Sequence, residues 1–492
     1  MPALLPDASL LLTVPETAWR SLAARLGAIG FEAECARMKE GDVPPFEAAA
    51  RPLRLWKARR ASDLASLAFR CFADADAITE AEATRVLEGV DAALFADAGL
   101  LARTPDGGVV SAYEIAPFEG MLFLGDPLDR GGDAVMNWGQ MTVELLRAAW
   151  TPEGAPKIGA ALDLGCGAGT CALVLAQGAA RAIGCDVSER AIVLSRANAR
   201  LNGVVNVEFR QGDLCAPVDG DRFDLVVSQP PFIPRHDEAE PATYLWGGSR
   251  GDEIPLRALA EGSARLAPGG RGLYFIQWAV FDDEPIQERV REVVPDEHVD
   301  VLVLEARGQD VDGSAIGEAS TRHPDLGPDY ARALARCRDH YERMRIRDFR
   351  HTLVVLRRRE DGRAWTSTAR VEPFREGRVH GGHVDALLRA SDLAARGKNA
   401  LGDARVRLPK GTGFVREEDE VRVVFPAGSL LGEARVASDT HALLAALHEA
   451  STVREAARRL AQQRRAPVDA VLEAVVTATA SLLRAGIVHP AK

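Results

Sequence analysis

The stretch Ala161-Leu162-Asp163-Leu164-Gly165-Cys166-Gly167-Ala168-Gly169-Thr170 constrains this chain more than any other. An apolar run ends in an acid and passes into Gly-x-Gly-x-Gly. Alternating glycines permit positive φ and remove Cβ atoms from the turn, so a ligand can approach the main chain. A strand before such a turn and a helix after it begin a βαβ series, and the series continues downstream. Arg181 to Cys185, Phe223 to Val227, Arg271 to Gln277, Val299 to Leu304 and His351 to Arg357 read as strands. Helical spacing separates them, as over Ser188 to Asn202. Tyr330 to Met344 is also helical, in an excursion between the last two strands. Alternating β and α elements predict a mainly parallel, twisted sheet covered on both faces, a Rossmann-like α/β core.

Two nucleotide readings compete for the glycine turn. A dinucleotide site requires Gly-x-Gly-x-x-Gly with pyrophosphate on the helix N-terminus. Thr170 follows Gly169 here, so that spacing fails. Ala182-Ile183-Gly184-Cys185-Asp186 is a second strand ending in an acid, placed where a carboxylate can accept from ribose hydroxyls. Its position suits a helix N-cap equally well. Gln211-Gly212-Asp213-Leu214 ends a third strand, and Phe223 to Ser228 runs into Gln229-Pro230-Pro231-Phe232.

Asp163 to Gly169 resembles motif I of class I S-adenosylmethionine-dependent methyltransferases, whose loop holds an amino-acid tail. The resemblance implies S-adenosylmethionine as cofactor. It assigns Asp163, Gly165, Gly167 and Gly169 to the cradle, Asp186 to the ribose, Val187 to packing on adenine, and Asp213 with Leu214 to the adenine amino group. Gln140 and Thr142 stand where relatives contact the cofactor tail; plain helix surface or core is the alternative.

Gln229-Pro230-Pro231-Phe232 resembles the N-P-P-Y/F motif of methyltransferases acting on nitrogen attached to a planar group. In that role a side-chain carbonyl and the next backbone carbonyl accept the two N–H groups. Proline fixes the backbone, and the aromatic ring stacks on the planar group. Gln229, Pro230 and Phe232 are the implied catalytic residues. Glu240-Pro241-Ala242-Thr243-Tyr244-Leu245-Trp246-Gly247-Gly248, then Gly251-Asp252, is similar to the E-P-x-x-A-L-x-G-G…D-G stretch of HemK-like protein glutamine N5-methyltransferases. The resemblance extends from about Asn137 to Arg358. Gln replaces the motif's Asn, adding a methylene and a rotor, and Phe replaces Tyr, losing a hydroxyl. Ribosomal-RNA guanine-N2 methyltransferases carry N-P-P-F, so Phe232 is compatible with a base. On the substrate side stand Pro231, His236, Tyr244 and Trp246. His236 could line the acceptor pocket, take the product proton or face solvent. Tyr244 and Trp246 wall the pocket or simply pack.

The 492 residues suggest about three domains. Residues 1–130 read as a helical, winged-helix-like unit, with Thr79 and Glu82 as a capping box and a turn at Pro105 to Gly108. Residues 131–378 form the core. Residues 379–492 begin with a helix near Gly382 to Ala395. Strands follow at Val406 to Leu408, Gly413 to Arg416 and Glu420 to Phe425, then helices at Thr440 to His448, Thr452 to Gln463 and Pro467 to Ala485. This second winged-helix-like outline resembles PqqD-type modules, which bind a peptide by adding a strand to a sheet edge. Neither terminal unit presents a basic helix for a groove, and the net charge is −11. Nucleic acid is therefore a disfavoured partner. The seven cysteines show no disulfide or zinc spacing, so no metal is expected. No apolar run approaches the ~20 residues of a membrane span. Met1 to Leu12 lacks a cationic signal region, so a cytoplasmic protein is expected. The acceptor is a peptide, protein or small molecule, and a homodimer stays open. The expected reaction is methylation of an amide or amino nitrogen. Alternatives are an O-methyltransferase in natural-product biosynthesis, an rRNA base N-methyltransferase, and a non-catalytic cofactor-binding regulator.

Overall fold

The computed structural model describes residues 5–39, 47–127, 133–150, 157–236, 245–282, 284–323, 326–374, 379–418 and 420–491. Its centre is an eight-stranded sheet. In chain order the strands are β1 (Ile158–Leu164), β2 (Ala179–Asp186), β3 (Val207–Gln211) and β4 (Phe223–Ser228), then β5 (Leu266–Val280), β6 (Val299–Arg307), β7 (Asp348–Arg358) and β8 (Thr366–Val371). Across the sheet they run β8-β6-β7-β5-β4-β1-β2-β3. β1 to β5 are mutually parallel. β7 enters antiparallel between β5 and β6, and β8 lies parallel to β6. The helices used below are α1 (Gln140–Ala149), α2 (Thr170–Ala176), α3 (Glu189–Asn202) and α4 (Glu253–Ala264), then α5 (Ile286–Val293), α6 (Val311–Arg322), α7 (Pro328–Arg343) and α8 (Gly381–Ala395).

Side-chain alternation sends each central strand into two cores. Leu302, Leu304, Leu353 and Val355 face a cluster shared with α1, α2 and α8. Val301, Val303, Val354 and Leu356 face the cluster of α4 and α5. That is why these strands are apolar throughout instead of alternating with polar residues.

All the expected strands form, with shifted limits. Pro268-Gly269-Gly270, a sequence suited to a turn, lies inside β5, where the register against β4 slips between Phe223 and Leu225. Gly269, at φ 76, absorbs that bulge, so the chain kinks without leaving the sheet. β8 and α6 carry no strong sequence pattern and emerge only in the fold.

The N-terminal unit has the expected Thr79–Glu82 capping box and the hairpin Leu101–Arg103 with Val109–Ser111. A second hairpin, Glu114–Phe118 with Met121–Gly125, follows. Side chains of α3 bind its edge as a neighbouring strand would. Asn198 accepts from Leu124 N at 2.7 Å and donates to Leu124 O at 3.0 Å. Asn202 accepts from Leu122 N at 2.9 Å and donates to Leu122 O at 2.7 Å. Beside them Arg190 makes a two-pronged contact to fully buried Asp126, at 2.7 and 2.6 Å.

The C-terminal unit contains the three expected helices. Its three-stranded sheet uses Gly413–Arg416, Glu420–Val424 and Glu433–Ala437. The expected strand at Val406 pairs instead with His489–Pro490. α8 joins this unit to the core: Val384, Leu387 and Leu388 pack on the sheet, while Ala390 and Ala394 pack on the C-terminal helices. Asp392 on α8 accepts from Arg357 at 2.6 Å, Arg359 at 2.9 Å and Trp365 at 2.9 Å.

Two pH-dependent outcomes follow. Burial alone would raise the Asp392 carboxyl, but those donors hold it at about 2. Its contribution to stability is present above the unfolded value near 4 and lost as pH falls from about 4 to about 2. Asp392→Asn is expected to cost about 1–3 kcal/mol at neutral pH and to converge with the wild type in acid, measured by denaturant unfolding. Asp163 behaves oppositely. Burial, offset by the Ala172 N–H and reinforced by Asp186, pushes it up to about 7. The folded chain keeps a proton that the unfolded chain releases, so stability falls as pH rises from about 4 to about 7. Asp163→Asn keeps the carbonyl acceptor but cannot ionise, and its unfolding free energy should lose that slope.

Candidate active site

In an open α/β sheet a crevice forms where the strand order reverses, outside the carboxyl ends of the strands. Here β1 has β2 on one side and β4 on the other. Leu164 lies opposite Ser228, and Ser228 Oγ donates to Leu164 O at 2.7 Å. The next residues, Gly165 and Gln229, therefore leave the sheet side by side.

The glycine turn is built from below. Asp163, 4% exposed, accepts from Ala172 N at 2.9 Å. It thereby pins the first turn of α2 to the end of β1. Gly165, Gly167 and Gly169 have φ of 75, 52 and 82. A Cβ at Gly169 would strike Phe209 and Ser195, whereas one at Gly165 or Gly167 would meet nothing. Gly169 thus serves packing, and the first two leave main chain open towards the crevice.

Asp186 accepts from Gly167 N and Ser188 N, both at 2.9 Å. It holds the glycine turn and the main chain of Ser188, the residue that caps α3, and a carboxylate has acceptor capacity beyond two bonds. Burial raises its pKa. The neighbouring Val187 is 61% exposed, an apolar surface at the rim of the crevice. Asp213 is exposed and pairs with Arg257 of α4 at 2.8 Å. Leu214 has φ 45, a conformation that costs a Cβ-bearing residue about 1–3 kcal/mol and clusters at functional sites.

An S-adenosylmethionine molecule fits this cradle: the turn is open at two glycines, a carboxylate lies behind it and an apolar side chain stands beside it. The α1 residues are otherwise engaged. Gln140 donates to Glu144 at 2.6 Å, and Thr142 donates to Gln229 Oε1 at 3.0 Å.

Pro230 is buried, while Gln229, Pro231 and Phe232 are half-buried. The following loop is braced by 245–251. Ile233 N donates to Leu245 O and Gly247 N to Ile233 O. A Cβ at Gly247 would lie 2.7 Å from Phe232 Cα, and one at Gly251 would lie 2.5 Å from Phe232 O. Close backbone approach explains these glycines. Trp246 is buried against this loop. Tyr244, with residues 237–243, lies outside the described residues.

His236 does not face solvent, its side chain being 2% exposed. Its Nε2 meets Glu318 Oε1 at 2.9 Å, and Cys337 Sγ lies 3.6 Å from the same nitrogen. The three groups are close enough to share an ion, but Arg322 sits among them, 3.0 Å from His236 Nε2 and 3.1 Å from Glu318 Oε1. Tyr341 donates to the other Glu318 oxygen at 2.8 Å. Against its burial, the His236 bond and the Arg322 charge keep the Glu318 carboxyl below its ordinary value. Sequence spacing could not find Glu318, Arg322, Cys337 and Tyr341, because α6 and α7 bring them to the loop from far along the chain. The seven cysteines are all buried thiols.

Comparison with known proteins agrees with this geometry. Residues 143–245 match the family Methyltransferase small domain. The release factor glutamine methyltransferase of Koribacter versatilis is 34% identical over 105 residues, 18% of this chain and 37% of the relative. That of Aliivibrio fischeri is 35% identical over 126 residues, 23% and 44%. The ribosomal RNA small subunit methyltransferase C of Alcanivorax borkumensis is 34% identical over 141 residues, 27% and 39%. The chain spans less than half the length of these relatives. The glycine turn at the strand reversal and the family match over residues 143–245 make the central domain a class I, S-adenosylmethionine-type methyltransferase core, similar to the release factor glutamine methyltransferases.

Proposed function

We propose that this chain methylates an amide or amino nitrogen attached to a planar group, in a peptide, protein or natural-product acceptor. The observation that carries the proposal is the placement of Gln229-Pro230-Pro231-Phe232 beside Gly165 at the strand reversal. S-adenosylmethionine supplies a methyl group on a positively charged sulfur.

The chain's own residues do the rest. Gly165 and Gly167 admit the cofactor tail, Asp186 accepts from the ribose hydroxyls, and Val187 covers one face of the adenine. Gln229 and the Pro230 carbonyl accept the two N–H groups of the acceptor, and Phe232 stacks on its plane. An amide nitrogen is a weak nucleophile because its lone pair is delocalised. Fixing it at attack distance is therefore the main catalytic contribution available.

The release factor relatives favour a protein glutamine, and the Alcanivorax relative favours ribosomal RNA. Net charge −11 weighs against a large polyanion. For the C-terminal unit the proposal is peptide recruitment at the edge strand Gly413–Arg416, whose residues are all exposed.

Incubation with methyl-labelled cofactor and host extract, followed by mass spectrometry, should reveal an N-methylated amide or amine; an O-methylated product would overturn the nitrogen assignment. Asp186→Ala should weaken S-adenosylmethionine binding by roughly 10- to 100-fold in calorimetry, from the loss of bonds to a charged acceptor. Gln229→Ala should leave that affinity nearly unchanged and lower turnover on the order of 100-fold. Full turnover in that variant would exclude the planar-nitrogen mechanism.

A further inference from the structure

Gln229 differs from the motif's asparagine by one methylene, and α1 supplies a group that meets the added length. Thr142 Oγ1 accepts from Gly139 N at 3.4 Å and donates to Gln229 Oε1 at 3.0 Å. A main-chain N–H can only donate and a carbonyl oxygen can only accept, so the hydroxyl proton points from Thr142 to Gln229. The carbonyl oxygen has two lone pairs. One is taken by Thr142, and the other is left for an N–H of the acceptor.

Without the hydroxyl, the glutamine end can turn over and present its NH₂ in place of its carbonyl. Two N–H groups would then oppose each other, and the acceptor nitrogen would lose its alignment. Position in the chain supports the same role. Thr142 lies in the first turn of α1, whose Leu145, Leu146 and Ala148 are locked in the core beneath the sheet. The hydroxyl is therefore delivered from a rigid element, and its bond crosses from α1 to the end of β4.

We infer that Thr142 is a positioning residue for Gln229, fixing its carbonyl towards the acceptor nitrogen, and is not a contact to the cofactor tail. This inference rests on the planar-nitrogen reading of Gln229.

The test compares Thr142→Val, which removes the hydroxyl at nearly constant shape, with Thr142→Ser, which keeps it. Labelled methyl transfer into host extract should fall roughly 10-fold in Thr142→Val and return to about wild-type level in Thr142→Ser. S-adenosylmethionine affinity, by calorimetry, should stay within about two-fold in both. In ¹⁵N-glutamine-labelled protein, the Gln229 side-chain amide resonance, identified by its loss in Gln229→Glu, should move in Thr142→Val and stay in place in Thr142→Ser. In a Gln229→Asn background, whose carbonyl falls short of Thr142, adding Thr142→Val should cause no further loss.

A parallel fall in cofactor affinity and turnover would overturn the inference and return Thr142 to the cofactor tail. An unmoved Gln229 amide resonance in Thr142→Val, or an equal loss in the Gln229→Asn background, would also overturn it. If Gln229→Ala loses turnover while Thr142→Val does not, only the Thr142 role fails. If Gln229→Ala keeps turnover, or wild-type enzyme labels nothing in the extract, the planar-nitrogen reading itself fails. The amide resonance then still decides whether Thr142 holds Gln229.

Discussion

The reversal of strand order at β1 and β4 is the constraint on which the rest of the structure depends. Two adjacent parallel strands whose following segments diverge to opposite faces leave a gap at their carboxyl ends. Their ladder sets Leu164 opposite Ser228, and the bond from Ser228 Oγ to Leu164 O reinforces that register. The glycine turn and the Gln229 segment then open into the same gap from neighbouring strands. Asp163 carries the first part of that arrangement. It lies under the turn and ties α2 to β1, so the open main chain at Gly165 and Gly167 rests on a rigid support. Burying this carboxylate is costly enough to move its ionisation to about 7, a cost borne for the shape of the turn.

The flanking units reach the site through helices that belong to two cores at once. α3 begins three residues after Asp186 and packs Ala191 and Leu194 into the N-terminal unit. Its Asn198 and Asn202 complete the edge of the Met121–Gly125 strand. Movement of the N-terminal unit would thus pull on the helix that follows the ribose-side acid. α8 plays the corresponding part at the other end, with one stretch in the sheet's core and the next in the C-terminal core. The Asp392 cluster fastens it to β7 through Arg357. The hydrophobic cores at the two ends of the chain therefore meet the sheet's core at these shared helices.

Much of this was legible in the sequence because it is local. Asp163 to Gly169, Asp186 and Gln229 to Phe232 each sit within a few residues of a strand end, and a strand end has only one carboxyl edge to occupy. The Thr79–Glu82 box likewise needs only neighbouring residues. What stayed hidden is non-local. The position of β7 between β5 and β6 depends on pairing across the chain, and β8 on the edge that β6 leaves open. Gly247 and Gly251 looked like motif residues with no physical reason. Their reason is the backbone of Phe232, which lies 2.7 and 2.5 Å from where their Cβ atoms would sit. The role of Thr142 was hidden too, since nothing in α1 says that a side chain from β4 arrives above it.

The division between local and non-local parts also separates chemistry from specificity. The stretch matching the Methyltransferase small domain, residues 143–245, contains the cradle, the acids and the Gln229 segment. In the proposed function these are the groups that meet the sulfonium methyl and the acceptor nitrogen. Beyond it, the acceptor loop is closed by parts of another origin. His236 leaves the loop only four residues after Phe232 and is held by Glu318 and Arg322 of α6, with Cys337 and Tyr341 of α7 completing the cluster. Breaking one member of such a buried, charged set leaves the others without their compensation, so the position of the loop is fixed by the α6–α7 excursion. The same excursion sits at the acceptor end of the motif, not at the cofactor end. The match to the Methyltransferase small domain thus covers the glycine turn and the Gln229 segment, whereas the residues that hold His236 come from α6 and α7, outside that match.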